Sequence, residues 1–112
     1  VTREETNVSC GDSLTLSLRI EDGRIIAVGW EGKGCAISQA GMSLLSEDIA
    51  GKTTASLERL RKENIYTLLG VPIGPRRYKC ALLCLHTLKN ALRKARGKQP
   101  QGWLDTVELS EK

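Results

Sequence analysis

Leu14, Leu16, Leu18 and Ile20 alternate with Thr15, Ser17 and Arg19. A period of two places every apolar side chain on one face of an extended strand, and a slip of one residue would turn them all to water. Such a strand demands a layer to pack against. Glu21-Asp22-Gly23 follows as a turn signal, and the β-rich run "RIIAVGW" (24–30) follows the turn. The spacing predicts an antiparallel hairpin over residues 13–30, followed by a flexible "EGKG" loop that delivers Cys35.

Beyond the loop the period changes. Ile37, Ala40, Met42, Leu44, Leu45 and Ile49 recur at helical spacing, which predicts a helix over 36–50 that Gly51 ends. "TTASLERLRKEN" (53–64) reads as a second helix, capped by Thr53 or Thr54. "GVPIGP" (70–75) is a loop. A last helix spans 80–95, with Ala81, Cys84, Leu85, Leu88 and Leu92 on one stripe and Lys89, Arg93, Lys94 and Arg96 mostly off it. Residues 97–112 read as a C-terminal tail on a single 1–112 domain. The expected class is α+β: a small antiparallel sheet, the hairpin plus a third strand, packed against helices.

At 112 residues the chain is large enough for one core. No apolar run approaches the ~20 residues that a membrane span needs, and no basic, apolar and small leader opens the sequence. The expectation is a cytoplasmic protein without a membrane partner. Net charge is +4, yet Arg76–Lys98 holds eight Lys or Arg and no acidic residue. Such a block suits an acidic partner, a nucleic acid or a solvated helix face. Tyr78 is its sole aromatic and no recognition motif accompanies it, so nucleic acid is the remote reading and a docking face for a partner protein the more economical one. Trp30 and Trp103 read as packing residues.

The four cysteines, Cys10, Cys35, Cys80 and Cys84, include no C-x-x-C pair, which disfavours zinc-ribbon and thioredoxin-like readings. Isolated core thiols and a site assembled from distant segments both stay open. Three of the four sit at junctions. Cys10 precedes the first strand of the hairpin; Cys35 and Cys80 each end a loop and open a helix, where unpaired amides and the helix dipole favour a thiolate. Arg76, Arg77 and Lys79 add positive charge beside Cys80. Two residues after Cys10 comes Asp12, with Gly11 as the hinge between them. Cys10, Asp12, Cys35 and Cys80 would supply three soft donors and one hard one, a number that matches tetrahedral zinc and equally the ligands of a [2Fe–2S] cluster. One weak carboxylate ligand suits handover better than storage.

"NVSCGDSLTLSLRIEDGRI", "GKGCAISQAGMSLLSE" and "RRYKCALLCLHTLKNAL" together resemble the U-type iron–sulfur assembly proteins (IscU, SufU and the N-terminal part of NifU). The resemblance covers about residues 5–95. It implies a small sheet against helices with the metal site at one exposed end, and Cys10, Asp12, Cys35 and Cys80 as the ligands. It further implies a scaffold that takes sulfur from a cysteine desulfurase, binds iron or an iron–sulfur cluster, and passes it to apo iron–sulfur acceptor proteins. A zinc-dependent sulfurtransferase that accepts a persulfide is the alternative. Cys10 and Cys80 are then candidate sulfur acceptors, and Arg77 the charge that stabilises a thiolate or meets a partner. The IscU type has histidine before its last cysteine, where this chain has Lys79, a possible accessory residue. The chain resembles a short, SufU-leaning member that lacks the usual N-terminal helix.

Cys84 lies one turn after Cys80 and on the apolar stripe, so core packing is its expected role, with accessory ligation or sulfur relay as the alternative. His86, the sole histidine, is expected to be a surface or core residue and not a ligand.

Overall fold

The computed structural model describes residues 1–7, 11–74, 77–103 and 106. In chain order the elements are β1 (Thr2–Asn7), β2 (Asp12–Glu21), β3 (Arg24–Lys33), α1 (Ala36–Ile49), α2 (Thr54–Leu57), α3 (Lys62–Leu69) and α4 (Tyr78–Ala95). The strands form one antiparallel sheet in the order β1-β2-β3, and helices pack on it.

The hairpin forms where the alternation places it. Leu14, Leu16 and Leu18 are buried, and Glu21 pairs with Arg24 across a two-residue turn. Asp22 (φ 51°) and Gly23 (φ 74°) both take positive φ, the backbone hand that matches the twist of the flanking strands. β3 runs on to Lys33, so most of the expected flexible loop is strand: Ser13 pairs with Lys33 and Thr15 with Glu31.

β1 is the third strand. Its inward face is Arg3, Glu5 and Asn7, opposite Leu16, Leu14 and Asp12 respectively. These polar residues find partners mainly on α4. Asn90 Nδ2 donates to Glu5 Oε2 (2.9 Å), Arg3 pairs with the same carboxylate, and Asn7 reaches Cys80. Polar inward side chains on an edge strand also discourage pairing with a second sheet.

α4 departs most from its expected amphipathic character. It is buried on every side from Cys80 to Leu92, including His86, Thr87, Lys89 and Asn90. One side faces Met42, Leu45 and Ile49 of α1 and the leucines of β2 within the core. Its polar side is covered by β1 and by the segment after the helix. Arg93 Nε donates to the Gln99 carbonyl, the Gln101 amide to Asn90 Oδ1 (2.7 Å), and Trp103 stacks on His86 with ring centroids 4.2 Å apart. Residues 99–103 and 106 are thus a strap along α4, while residues 104, 105 and 107–112 of the expected tail lie outside the described residues.

The expected helix over 53–64 is two helices, α2 and α3. Thr53 caps the first, accepting from the Ser56 amide. The Lys89 ammonium then takes the Glu58 carbonyl, the acceptor that a continuous helix would offer to the amide of residue 62. Arg61 is extended (φ −124°, ψ 168°) and its amide donates to Asn64 Oδ1 (2.8 Å), which starts α3 afresh.

Candidate metal centre

Three segments meet at one end of the sheet. Asp12 opens β2, Cys35 is the N-cap of α1, and Cys80 lies in the first turn of α4. One carboxylate oxygen of Asp12 and the sulfurs of Cys35 and Cys80 all lie within 4.8 Å of one another. Asp12 is 1% exposed and Cys80 2%, whereas Cys35 is half-buried.

Backbone geometry makes the meeting possible. Gly34 has φ +98°, and a Cβ there would come within 2.9 Å of both the Asp12 Cα and Oδ1. A glycine is needed for the space as well as for the dihedral. With Gly34 in place, the Cys35 amide donates to Asp12 Oδ1 (3.2 Å). Ser38 Oγ donates back to the Cys35 carbonyl (2.8 Å) and completes the first turn of α1. Cys80 is contacted by Asn7, whose Nδ2 donates to its Sγ across 3.7 Å. The Asn7 carbonyl also accepts from the Gly11 amide (2.9 Å), so the ends flanking residues 8–10 are in contact. Cys10 itself lies outside the described residues.

A cation fits this donor set. Asp12 Oδ2 is buried with no hydrogen-bond partner among the described residues, and a buried carboxylate oxygen without a donor is costly. A metal ion would supply the missing partner. Two thiolates and a carboxylate suit zinc or iron better than magnesium or calcium.

The other candidate residues sit elsewhere. Cys84 is fully buried, with Sγ donating to the Ala81 carbonyl (3.5 Å) and close to Gly41, where an added Cβ would lie 3.1 Å from that sulfur. Burial pushes its thiol up to about 12. His86 is 3% exposed; Nδ1 contacts Thr106 Oγ1 (2.6 Å) and Nε2 faces Glu5 Oε1 (3.4 Å). Arg77 is an exposed residue at the start of α4, Lys79 is half-buried, and Arg76 lies outside the described residues. Asn7 is the site residue that sequence reasoning missed. Its one signal was its place three residues before Cys10, and a single amide in that position says nothing of a contact 73 residues away.

The profile of the NifU-like N-terminal domain matches residues 1–101. The chain belongs to that family. Among its relatives, the iron-sulfur cluster assembly scaffold protein IscU of Thermotoga maritima is 36% identical over 110 residues, covering 84% of this chain and 78% of the relative. The zinc-dependent sulfurtransferase SufU of Bacillus subtilis is 29% identical, over 81% of this chain and 74% of the relative. A crystal structure described as an iron-sulfur cluster assembly scaffold protein for the SUF system, from Fervidobacterium islandicum, superposes with a TM-score of 0.67 at 36% identity, over 81% of this chain and 79% of that one. The NifU-like domain thus shares its overall fold with that crystal structure. No helix among the described residues is long and apolar enough to cross a membrane.

Proposed function

We propose that this NifU-like domain is an iron–sulfur cluster assembly scaffold. The observation that carries the reading is the convergence of Asp12, Cys35 and Cys80 around a carboxylate oxygen that lacks a donor. The relatives that share this fold at 36% identity carry the scaffold name. Cys10 is the fourth ligand in this reading, two residues before Asp12 and joined to it by Gly11.

The cargo is iron and sulfide, and its sulfur comes from a cysteine desulfurase. An acceptor thiolate, Cys80 or Cys10, attacks the terminal sulfur of the donor's persulfide. One S–S bond forms, the donor's breaks, and the donor leaves as a thiolate. Reduction of the carried sulfur to sulfide draws two electrons from an external reductant. Arg77, exposed at the start of α4 and three residues before Cys80, is the cation offered to a partner carboxylate or persulfide anion. Lys79 is the accessory cation beside it. Cys35 and Cys80 hold the cargo through sulfur. Asp12, the one oxygen ligand, weakens that hold enough for transfer to an apo acceptor protein.

Anaerobic loading with ferrous iron, cysteine and a desulfurase tests this. The expected result is visible-range cluster absorption that decays on addition of an apo acceptor, and decays more slowly in Asp12→Ala. Tightly held stoichiometric zinc with no cluster absorption after loading would instead establish zinc-dependent sulfur transfer, the activity named for the relative at 29% identity.

A further inference from the structure

Within the basic block Arg77, Lys94, Arg96 and Lys98 are exposed, and Lys89 is the exception. Lys89 is 6% exposed. It contributes to a cavity of about 170 Å³ whose wall also includes Arg93, Arg96, Lys98, Leu92 and Glu58. Lys89 lies nine residues after Cys80 on the same helix, which sets it about 13 Å along the axis and half a turn round. The cavity is therefore separate from the metal centre.

Its charges do not balance. Four cations meet a single carboxylate, Glu58, and that carboxylate is already engaged: Arg96 donates to both of its oxygens at 2.6 Å. Lys89 Nζ donates to the Glu58 main-chain carbonyl, which is a dipole and no counter-ion. An ammonium has three N–H donors, and the described residues give this one a single acceptor. Arg93 uses Nε on the Gln99 carbonyl, which leaves its terminal nitrogens without a partner among the described residues. Lys98 has no side-chain partner among them. Of the four only Lys89 is buried, and the carboxylate that favours its charge, Glu58, is shared with Arg96; an anion that enters the cavity offsets the remaining desolvation cost.

We propose that this cavity binds a small tetrahedral oxyanion of the phosphate class, with Lys89 at its floor and Arg93, Arg96 and Lys98 around its mouth. The space equals roughly five water molecules, which admits a phosphoryl group. Donors converging from four side chains suit a multi-oxygen dianion better than a flat carboxylate, and guanidinium groups match phosphate oxygens two at a time. Free phosphate and the phosphoryl group of a monoester share this chemistry.

Calorimetric titration of the metal-free full chain with inorganic phosphate, and separately with glycerol 3-phosphate, tests the proposal, with chloride holding ionic strength constant. One saturable site is expected for at least one of the two. Binding of phosphate alone identifies the free anion, and binding of the ester shows that the site accepts a phosphoryl group on a larger molecule. Lys89→Gln should weaken binding by about thirtyfold or more. The double variant Arg93→Gln with Lys98→Gln, which also gives up the Arg93 contact to the Gln99 carbonyl, should weaken it by about tenfold while the circular dichroism stays unchanged. Cys35→Ser should leave it unaltered. Burial holds the Lys89 ammonium down at about 8, so an anion seated beside it favours protonation, and binding at pH 8 should take up protons from the buffer. No saturable binding of either compound at millimolar concentration overturns the proposal. So does equal affinity in the double variant, which would mark a general attraction to a basic protein.

Discussion

Asn7 Nδ2 donates to Cys80 Sγ across 3.7 Å and joins the last residue of β1 to the first turn of α4. The contact is a tie to the sulfur from outside its own helix. Replacement of Asn7 by Ala removes a buried donor and should cost about 1 kcal/mol of stability, read in urea denaturation. The larger effect should fall on the metal. Loss of a partner to a ligand atom commonly costs ten- to a hundredfold in affinity, so a chelator should strip metal from Asn7→Ala at least about tenfold faster. An unchanged rate would show that the Asn7 contact does not support the sulfur.

Gly34→Ala should be the most damaging small substitution at the site. Positive φ costs an alanine of order 1–3 kcal/mol, and its methyl would strike the Asp12 main chain and carboxylate at 2.9 Å. Thermal unfolding should show the loss, and metal content after purification should fall with it. The control Gly74→Ala, where an added Cβ meets nothing within 4 Å and no positive φ is required, should be near neutral.

The thiols should separate by reactivity. Cys84 is fully buried with its thiol pushed up to about 12 by desolvation, and only a thiolate alkylates. In metal-free protein at pH 8, iodoacetamide should label Cys35, which is half-buried, long before Cys84, and Cys84 should react only after denaturant is added. Mass spectrometry of the peptides decides this. Because the folded-state value of Cys84 is raised, its contribution to stability is complete below about 9 and declines as pH climbs toward 12.

His86 sets an acid limit on the strap. Desolvation lowers its value below 6.5, against the opposing pull of the Glu5 carboxylate and with a smaller push from Arg3. The unfolded chain therefore binds the proton more readily, and stability should fall as pH drops below about 6.5. Trp103→Ala removes the stacked ring and should cost about 2 kcal/mol at neutral pH. It should also raise the His86 value by admitting water, visible as a shift of the imidazole NMR titration to higher pH. An unmoved titration would mean that Trp103 does not shield the ring.

What the sequence disclosed follows from how local each cause is. The hairpin was legible because alternation at 14–20 and the Asp22-Gly23 turn act within a few residues. α1 and α4 were legible for the same reason, through their spacing of three and four. β1 gave no period-two apolar signal, since Arg3, Glu5 and Asn7 face inward to meet α4. The break between α2 and α3 depends on Lys89, 31 residues away from the Glu58 carbonyl that it takes. Within the site, Asp12, Cys35 and Cys80 could be named from their motifs because their chemistry is carried by residue type. Asn7 could not, because its part depends on a contact between the two ends of the fold.

Exposure is unequal among the three described donors: Asp12 and Cys80 are sealed, and Cys35 shows one flank to water. Among the described donors that asymmetry makes Cys35 the open flank of the centre. An ion that enters or leaves on that flank passes beside Cys35, so a bulky adduct on that one sulfur should slow arrival and departure there alike.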